Sequence, residues 1–215
     1  MFHQNIFNMK EGIRQSIKDN GIAIIENALL PDIAEDLYRD LNATSAWKRQ
    51  EMTENEGSKR AFKYSRDYIE LDYNHAPQSL TLLKEYLRGE TSRNFISYIS
   101  SLPCLWFNGS AARLRPGDSI GLHNDDVDIT RTIGFNYYLN KGWEPDWGGE
   151  FILMNPHVEV KPTFNTLNLF RVSKTSHHKV NEINAQAKNG RLAISGWFRS
   201  AKPKTYALNV KNLKT

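Results

Sequence analysis

The second half of the chain is a series of short β-type segments separated by turns. From residue 103 onward, runs rich in β-branched and aromatic side chains recur at even spacing, and turn pairs such as Asn108-Gly109 and Gly148-Gly149 separate them. The predicted strands are Cys104–Phe107, Ala111–Arg115, Ile120–His123, Thr132–Leu139, Glu150–Leu153, Thr166–Phe170, His178–Ile183, Leu192–Phe198 and Tyr206–Asn209. Such spacing is typical of a β-sandwich or jelly roll rather than an α/β sheet.

The first half of the chain has mainly helical periodicity. Apolar residues at helical spacing predict helices over 9–20, 31–43 and 77–99, the last broken near Gly89. Ile22–Ile25 predicts a short edge strand, because β-branched residues dominate it. We therefore expect a mainly β fold with flanking helices, in which a jelly-roll core is supported by N-terminal helices.

The expected domain organisation is a single domain over residues 1–215, with a helical support and a loop in 1–102 and the core in 103–210. The loop, Trp47–Tyr73, is polar and charged, and we interpret it as a long loop or loose hairpin. It is either a lid over a functional site or a mobile surface excursion. Its charged part, Glu51–Arg66, is a plausible clamp for a peptide.

Composition excludes several classes of protein. The net charge of +4 and pI near 9.1 reflect an ordinary surface excess of Lys and Arg without a dense basic run, so no nucleic-acid binding is expected. There is no apolar run long enough for a membrane span and no secretory signal pattern after Met1. Because Cys104 is the single cysteine, a cytoplasmic setting is expected. The composition sets no expectation for the oligomeric state.

Three residues of the β region have the spacing of a metal site. His123 and Asp125 stand two apart, so in a strand both side chains would point to one face and Asn124 would point away. With His178 they would form the two-histidine, one-carboxylate facial triad of non-haem Fe(II) centres. Asp126 competes with Asp125 but lacks the two-residue spacing. A surface histidine in an acidic turn is the alternative for His123.

Arg191 interrupts an apolar strand thirteen residues after His178. A partly buried guanidinium needs an anion, which is either a bound carboxylate or a structural acid of the protein. A dicarboxylate cosubstrate would bind such an arginine bidentately. The triad and Arg191 together favour an Fe(II)- and 2-oxoglutarate-dependent oxygenase.

Several segments resemble the prolyl-hydroxylase-type branch of the 2-oxoglutarate oxygenases, which includes the hypoxia-factor and ribosomal-protein prolyl hydroxylases. The segments that carry the resemblance are Arg115–Asp118, His123–Asp125, Tyr137–Trp143, Trp147–Glu150, Phe164-Asn165, Ser176–Val180 and Arg191–Phe198. They follow the family's order and spacing. The resemblance implies a double-stranded β-helix fold with Fe(II), 2-oxoglutarate and O2 as cofactors, and ascorbate as a candidate reductant.

The resemblance also implies roles for individual residues. His123, Asp125 and His178 match the iron ligands, while Arg191 and Tyr138 match the residues that hold the far carboxylate of 2-oxoglutarate.

The neighbouring sequence decides the roles of some other histidines and leaves the roles of Trp197 and Phe198 open. His178 is preferred to its neighbour His177 because it stands two before Val180, as in the family's Ser-x-His-x-Val. His3, His75 and His157 lack a motif and are expected at the surface. The position before the Pro116 turn is often tyrosine in relatives and is Leu114 or Arg115 here, so one polar contact to the cosubstrate is expected to be missing. Trp197 and Phe198 are either pocket walls or plain core.

The reaction implied by the resemblance is hydroxylation of a prolyl residue in a protein or peptide, with release of succinate and CO2. Hydroxylation of a free amino acid or another small molecule, such as a natural product or carbohydrate, is the first alternative, since similar cores serve both. A non-catalytic ligand-binding jelly roll is the second. The third is a cupin-like metalloenzyme that needs no 2-oxoglutarate and would tolerate Arg191→Met.

Overall fold

A computed structural model describes residues 1–52 and 63–202, and eleven strands within them form one antiparallel sheet. The strands are β1 (Ile22–Ile25), β2 (Lys48–Met52), β3 (Tyr64–Glu70), β4 (Trp106–Leu114), β5 (Ile120–His123), β6 (Arg131–Tyr138), β7 (Phe151–Met154), β8 (His157–Val160), β9 (Thr166–Arg171), β10 (His178–Val180) and β11 (Arg191–Arg199). The helices are α1 (Gln4–Asn8), α2 (Lys10–Asn20), α3 (Pro31–Ala43), α4 (Gln78–Arg88) and α5 (Glu90–Ser100), with a short 3-10 turn at Pro145–Trp147.

The sheet consists of a larger and a smaller part that fold over each other. The larger part has the strand order β1-β9-β6-β11-β4-β3, with β2 paired to β3, and the smaller part has the order β5-β10-β7-β8. Only the pair Tyr64 and Ile120 joins β3 to β5 among the described strands. Phe151 of the smaller part packs on Phe170 of the larger part, with ring centres 5.2 Å apart. The two parts therefore form a jelly-roll sandwich with a shared interior.

The helices cover the outer face of the larger part. On β6, Phe135 and Tyr137 join the main core with apolar side chains of α4 and α5 such as Leu83 and Ile96. The next residue, Asn136, faces the opposite side of the sheet, toward the sandwich interior, as the two-residue period of a strand requires. The helices thus leave one sheet face available for polar side chains.

The predicted mainly β core with helices packed outside it is confirmed. The helices predicted over 9–20 and 31–43 are present as α2 and α3, and the break near Gly89 separates α4 from α5. Strand β1 lies at an edge of the sheet, as expected. No helix in the described ranges has the length and apolar character of a membrane span.

Two strand predictions were wrong. Asn108-Gly109 is not a turn, because β4 runs without interruption from Trp106 to Leu114. Gly109 lies opposite Gly196 of β11, and a Cβ atom on Gly109 would come within 2.3 Å of the Ser195 carbonyl oxygen. The glycine therefore allows close approach of two strands rather than a reversal. Strand β8, which pairs with β7, was not predicted.

The interpretation of Trp47–Tyr73 was right only in its hairpin version. β2 and β3 pair over five residues, and β3 also pairs with β4, so most of the described residues of this stretch belong to the sheet. Glu51 and Arg66, the ends of the proposed clamp, lie within these strands. Residues 53–62 and the predicted strand Tyr206–Asn209 lie outside the described residues.

Candidate metal centre and cosubstrate pocket

Residues of both parts of the sheet line a cavity of about 570 Å³. This volume lies in the range of pockets that bind small molecules. Its walls include His123, His178 and Arg191, together with polar side chains such as Asn136 and Ser195 from the inner face of the larger part. The three residues predicted for the metal and Arg191, predicted for the cosubstrate, therefore meet in one space, whereas Tyr138 is not among its wall residues.

His123, Asp125 and His178 form a compact cluster in this cavity. One potential ligand atom from each residue lies within 4.8 Å of those from the other two. His123 ends β5 and His178 begins β10, and the antiparallel register places the two residues opposite each other, with ring centres 4.2 Å apart. The Nε2 atom of His178 lies 3.4 Å from Oδ2 of Asp125. The spacing suits a single ion held by two imidazoles and one carboxylate.

Both imidazole rings are oriented by backbone carbonyl groups. Nδ1 of His123 lies 2.8 Å from the Gly121 carbonyl oxygen, and Nδ1 of His178 lies 2.8 Å from that of Ser176. Because a carbonyl oxygen only accepts, each Nδ1 carries the proton and each Nε2 offers a lone pair. This arrangement is common among metal-binding histidines.

Burial keeps the two rings uncharged. Removal from water lowers the pKa of His123, and burial together with the neighbouring His123 lowers the pKa of His178 to about 4. Neutral imidazole is the form that binds metal, so near neutral pH no proton has to leave before an ion can bind.

The strand argument for Asp125 was wrong, although the residue joins the cluster. β5 ends at His123, and Asp125 lies in the bend that follows. The side chain of Asn124 donates hydrogen bonds to the carbonyl oxygens of Ser173 (2.9 Å) and Lys174 (3.0 Å). These bonds join the bend that carries Asp125 to the loop that precedes His178. Tertiary contacts, not strand periodicity, bring the carboxylate to the histidines.

Two residues that the sequence did not single out as partners hold the Asp125 carboxylate. Arg131 Nη1 donates to Oδ1 at 3.0 Å, and Trp197 Nε1 donates to Oδ2 at 2.7 Å. The Arg131 guanidinium also stacks on the Trp197 indole, 3.7 Å from its centre. Trp197 therefore lines the pocket, whereas Phe198 is core. A signal for Trp197 was present, because residues 191 and 197 lie an even number of positions apart on one strand.

Arg191 is buried, with 3% of its surface exposed, and has no carboxylate within 4 Å among the residues that the structure describes. Its Nε donates to the Gly149 carbonyl oxygen at 2.6 Å, and its guanidinium lies 5.0 Å from the centre of the Tyr138 ring. Burial lowers the pKa of Arg191. Glu150 is close enough to stabilise the charge, but its carboxylate accepts a hydrogen bond from Asn181. The structural acid offered as an alternative is not found there.

Gly149 makes room for Arg191. It has a φ of +78°, and a Cβ atom there would lie 2.9 Å from Arg191 Cδ and 2.7 Å from Ile183 Cδ1. A side chain at this position would displace the arginine. Tyr138 lies fully buried against Arg191 and is not a wall residue of the cavity, so an entering carboxylate would meet the guanidinium first.

The position before the Pro116 turn is now assigned. Leu114 lines the cavity, whereas Arg115 points to the other side of the sheet and donates to Asp67 at 2.8 Å. Of the two candidates for this position, the one that lines the cavity is therefore apolar.

The remaining histidines do not join the cluster. His177 is exposed at the rim of the cavity, and His157 is exposed on β8. His3 accepts a hydrogen bond from the Asn5 backbone at the start of α1, and His75 packs on Tyr73.

Residues 109–199 match the family model described as the 2OG-Fe(II) oxygenase superfamily. This stretch contains the His-Asp-His cluster, Tyr138 and Arg191. Mouse prolyl 3-hydroxylase OGFOD1 is 34% identical over 109 residues, covering 45% of this chain and 20% of the mouse protein. Prolyl 3,4-dihydroxylase OGFOD1 of Ostreococcus tauri is 31% identical over 140 residues, covering 57% of this chain and 26% of the relative. The chain thus spans about a quarter or less of these curated relatives.

Solved structures show the same fold. A Pseudomonas putida prolyl-4-hydroxylase superposes with a TM-score of 0.68 at 20% identity, covering 90% of this chain and 100% of the other. A prolyl hydroxylase from Trichoplax adhaerens, solved in complex with a peptide fragment of hypoxia inducible factor, also gives 0.68 at 19% identity, covering 92% and 91%.

Residues 109–199 thus match a 2OG-Fe(II) oxygenase core, a match that implies Fe(II), 2-oxoglutarate and O2 as cofactors, and the His123, Asp125 and His178 cluster within them could hold the iron. The relatives similar to this chain in sequence are named prolyl hydroxylases, and the solved prolyl hydroxylases share its fold.

Proposed function

We propose that this chain is an Fe(II)- and 2-oxoglutarate-dependent hydroxylase of a prolyl residue in a protein or peptide. The observation that carries the proposal is the presence, in one cavity, of two uncharged histidines beside a carboxylate and of a buried arginine without a carboxylate partner among the described residues. The first fits a divalent iron and the second fits the free carboxylate of a dicarboxylate cosubstrate.

The roles follow from the contacts. His123 and His178 present Nε2, and Asp125 presents a carboxylate oxygen, so these three residues would hold Fe(II). When bound, the iron and 2-oxoglutarate supply the redox chemistry that consumes O2 and releases succinate and CO2. Arg191 would bind the far carboxylate of 2-oxoglutarate, with the hydroxyl of Tyr138 as a second donor. Leu114 would contribute an apolar contact in place of a further hydroxyl.

The substrate proposal rests on the named activities of the relatives. The two OGFOD1 relatives are prolyl hydroxylases, and the Trichoplax adhaerens enzyme was solved with a peptide. We propose a peptidyl proline for this chain, with a free amino acid or other small molecule as the alternative. We further propose that residues 1–215 form one oxygenase unit that works in the cytoplasm.

The test is an anaerobic titration of the metal-free protein with Fe(II) and 2-oxoglutarate, following the visible charge-transfer band. We expect a band in the wild type, none in His178→Ala, and a band that needs far more 2-oxoglutarate in Arg191→Met. Proline peptides should then stimulate succinate formation. A folded wild-type protein that gives no band at any concentration would refute the proposal. An Arg191→Met variant that needs no more 2-oxoglutarate than the wild type would show that Arg191 does not hold the cosubstrate.

A further inference from the structure

Strand β3 sorts its charged side chains onto two faces. Tyr64, Arg66 and Glu70 line the cavity, as expected for residues an even number of positions apart. Asp67 points to the opposite face, where Arg113 and Arg115 donate to its carboxylate. Arg66 therefore faces the cavity. Its neighbour Asp67 lies on the other face of the sheet and pairs with Arg113 and Arg115 instead.

Arg66 is held in place by neutral groups. Its Nε and Nη2 donate to Oε1 of Gln50, the cross-strand neighbour on β2, at 3.3 and 3.2 Å. Its guanidinium lies 5.7 Å from the ring centre of Tyr64 and 5.6 Å from that of Tyr68. The side chain is half-buried, and burial lowers the pKa of Arg66. Gln50 accepts from one edge of the guanidinium. Among the described residues, no hydrogen-bond partner of Nη1 is found.

The other arginines near the cavity have carboxylate partners. Arg131 pairs with Asp125 at 3.0 Å, and Arg49 pairs with Asp118 at 2.5 Å. For Arg66, as for Arg191, no carboxylate lies within 4 Å among residues 1–52 and 63–202.

Glu70 is the carboxylate that stabilises the charge of Arg66 from a distance. It lines the same cavity but does not contact the arginine, and burial raises the pKa of Glu70. Among the described residues, two guanidinium groups of the cavity, those of Arg66 and Arg191, thus have no direct carboxylate partner, and such a group suits an anion.

We propose that Arg66 anchors a second carboxylate subsite, which binds a carboxylate group of the substrate to be hydroxylated. The inference rests on the proposed function, in which Arg191 takes the cosubstrate. A carboxylate suits the guanidinium end that Gln50 leaves open, because two N–H groups there can bind two oxygens. The single charge of a carboxylate also suits a subsite that Glu70 shares, since Glu70 repels a doubly charged anion more strongly.

Two kinds of substrate can supply this carboxylate, a peptide and a free amino acid. One is an acidic side chain that flanks the target proline in a peptide. The other is the α-carboxylate of a free amino acid. The probes are therefore blocked proline peptides with Glu at each flanking position, the same peptides with Gln, and L-proline with L-prolinamide.

The experiment measures dissociation constants of these probes for protein loaded anaerobically with Fe(II) and 2-oxoglutarate. We expect at least one acid probe to bind the wild type about tenfold or more tightly than its amide, as for a hydrogen bond to a charged group. Arg66→Gln should abolish this difference and Arg66→Lys should retain part of it. Arg14→Gln is the matched control, because Arg14 also stacks on a tyrosine ring, Tyr98, but lies outside the cavity.

The outcomes separate the possibilities. A preference for a Glu peptide identifies the side chain of a polypeptide, and a preference for L-proline over L-prolinamide identifies an α-carboxylate. The proposal is overturned when no acid probe outbinds its amide in the wild type, or when the preference survives in Arg66→Gln. The charge-transfer band should be unchanged in Arg66→Gln. Absence of the band in folded wild-type protein would refute the proposed function, whereas a normal band without a preference for any acid probe would refute only the Arg66 subsite.

Discussion

The indole N–H of Trp197 donates a 2.7 Å hydrogen bond to Oδ2 of Asp125, a residue 72 positions earlier in the chain. The other carboxylate oxygen accepts from Arg131, whose guanidinium stacks on the same indole. The direction of the proposed metal-binding carboxylate is thus set by a strand on the far side of the cavity.

Trp197→Phe should weaken Fe(II) binding by about 10- to 100-fold, the usual effect of removing a residue that orients a metal ligand. The phenyl ring keeps the apolar contact but cannot donate to Asp125. The measurement is Fe(II) affinity by anaerobic titration, with thermal unfolding as a check on folding. Trp106→Phe, on β4 and outside the cavity lining, is the control and should bind iron as the wild type does. Equal affinities in both variants would show that the indole N–H has no role in positioning Asp125.

Gly149→Ala should raise the concentration of 2-oxoglutarate needed for half-saturation, because its methyl group would collide with Arg191. Gly117→Ala is the matched control: Gly117 also has a positive φ, +86°, but no atom lies within 4 Å of a Cβ there. Both variants should lose about 1 kcal/mol or more of unfolding free energy from backbone strain. Only Gly149→Ala should lose cosubstrate affinity in the charge-transfer titration. Parallel losses of affinity would mean that strain alone, and not the position of Arg191, governs binding.

Asp67→Ala should lower the unfolding free energy by about 1–3 kcal/mol, because Arg113 and Arg115 lose their shared acceptor and Arg49 loses a 3.6 Å ion pair. Asp67 is 1% exposed, whereas Asp36, which pairs with Arg39 on the surface of α3, is half-exposed. Asp36→Ala should therefore change stability by less than about 1 kcal/mol. Urea denaturation of the two variants makes the comparison, and similar losses would assign no special weight to the buried network.

Asp128→Asn should reduce the sensitivity of the fold to acid. Burial opposes ionisation of Asp128, but hydrogen bonds from Arg199 and Thr130 outweigh it and lower the pKa of Asp128 to about 2. A carboxyl group with a lowered pKa in the folded state stabilises the protein above its unfolded pKa of about 4, and this contribution disappears as the pH falls toward 2. The effect should be modest, because the side chain is 37% exposed.

The measurement for Asp128→Asn is the unfolding free energy in urea between pH 5 and pH 2. The wild type should lose more stability over this range than the variant. Curves that stay parallel down to pH 2 would show that the Arg199 pair contributes nothing to acid stability.

Local sequence patterns predicted many of the strands and helices and singled out four candidate site residues. Short β-type runs between turn signals correctly predicted the strands at Ile120–His123 and Leu192–Phe198. Pro31 and the apolar spacing after it predicted α3 with its observed bounds. His123, Asp125, His178 and Arg191 were also singled out from residue types and spacing, because two histidines and a carboxylate suit non-haem iron and an arginine in an apolar strand needs an anion. The structure brings all four into one cavity.

The tertiary structure decided what depends on strand pairing across long chain separations. Gly109 carries a turn signal, yet it lies within β4 because Gly196 packs against it, a contact that no local pattern encodes. The hydrogen bond between Trp197 and Asp125 likewise exists only because β11 crosses beneath the bend after β5. In the sequence, Arg66 is one of several charged residues in a segment interpreted as a loop. The register of β3 against β2 and β4 places it in the cavity wall, with no carboxylate within 4 Å among the described residues. Secondary-structure propensity depends on residues that are near in sequence. The contacts of a charged side chain depend on which distant strands pack together.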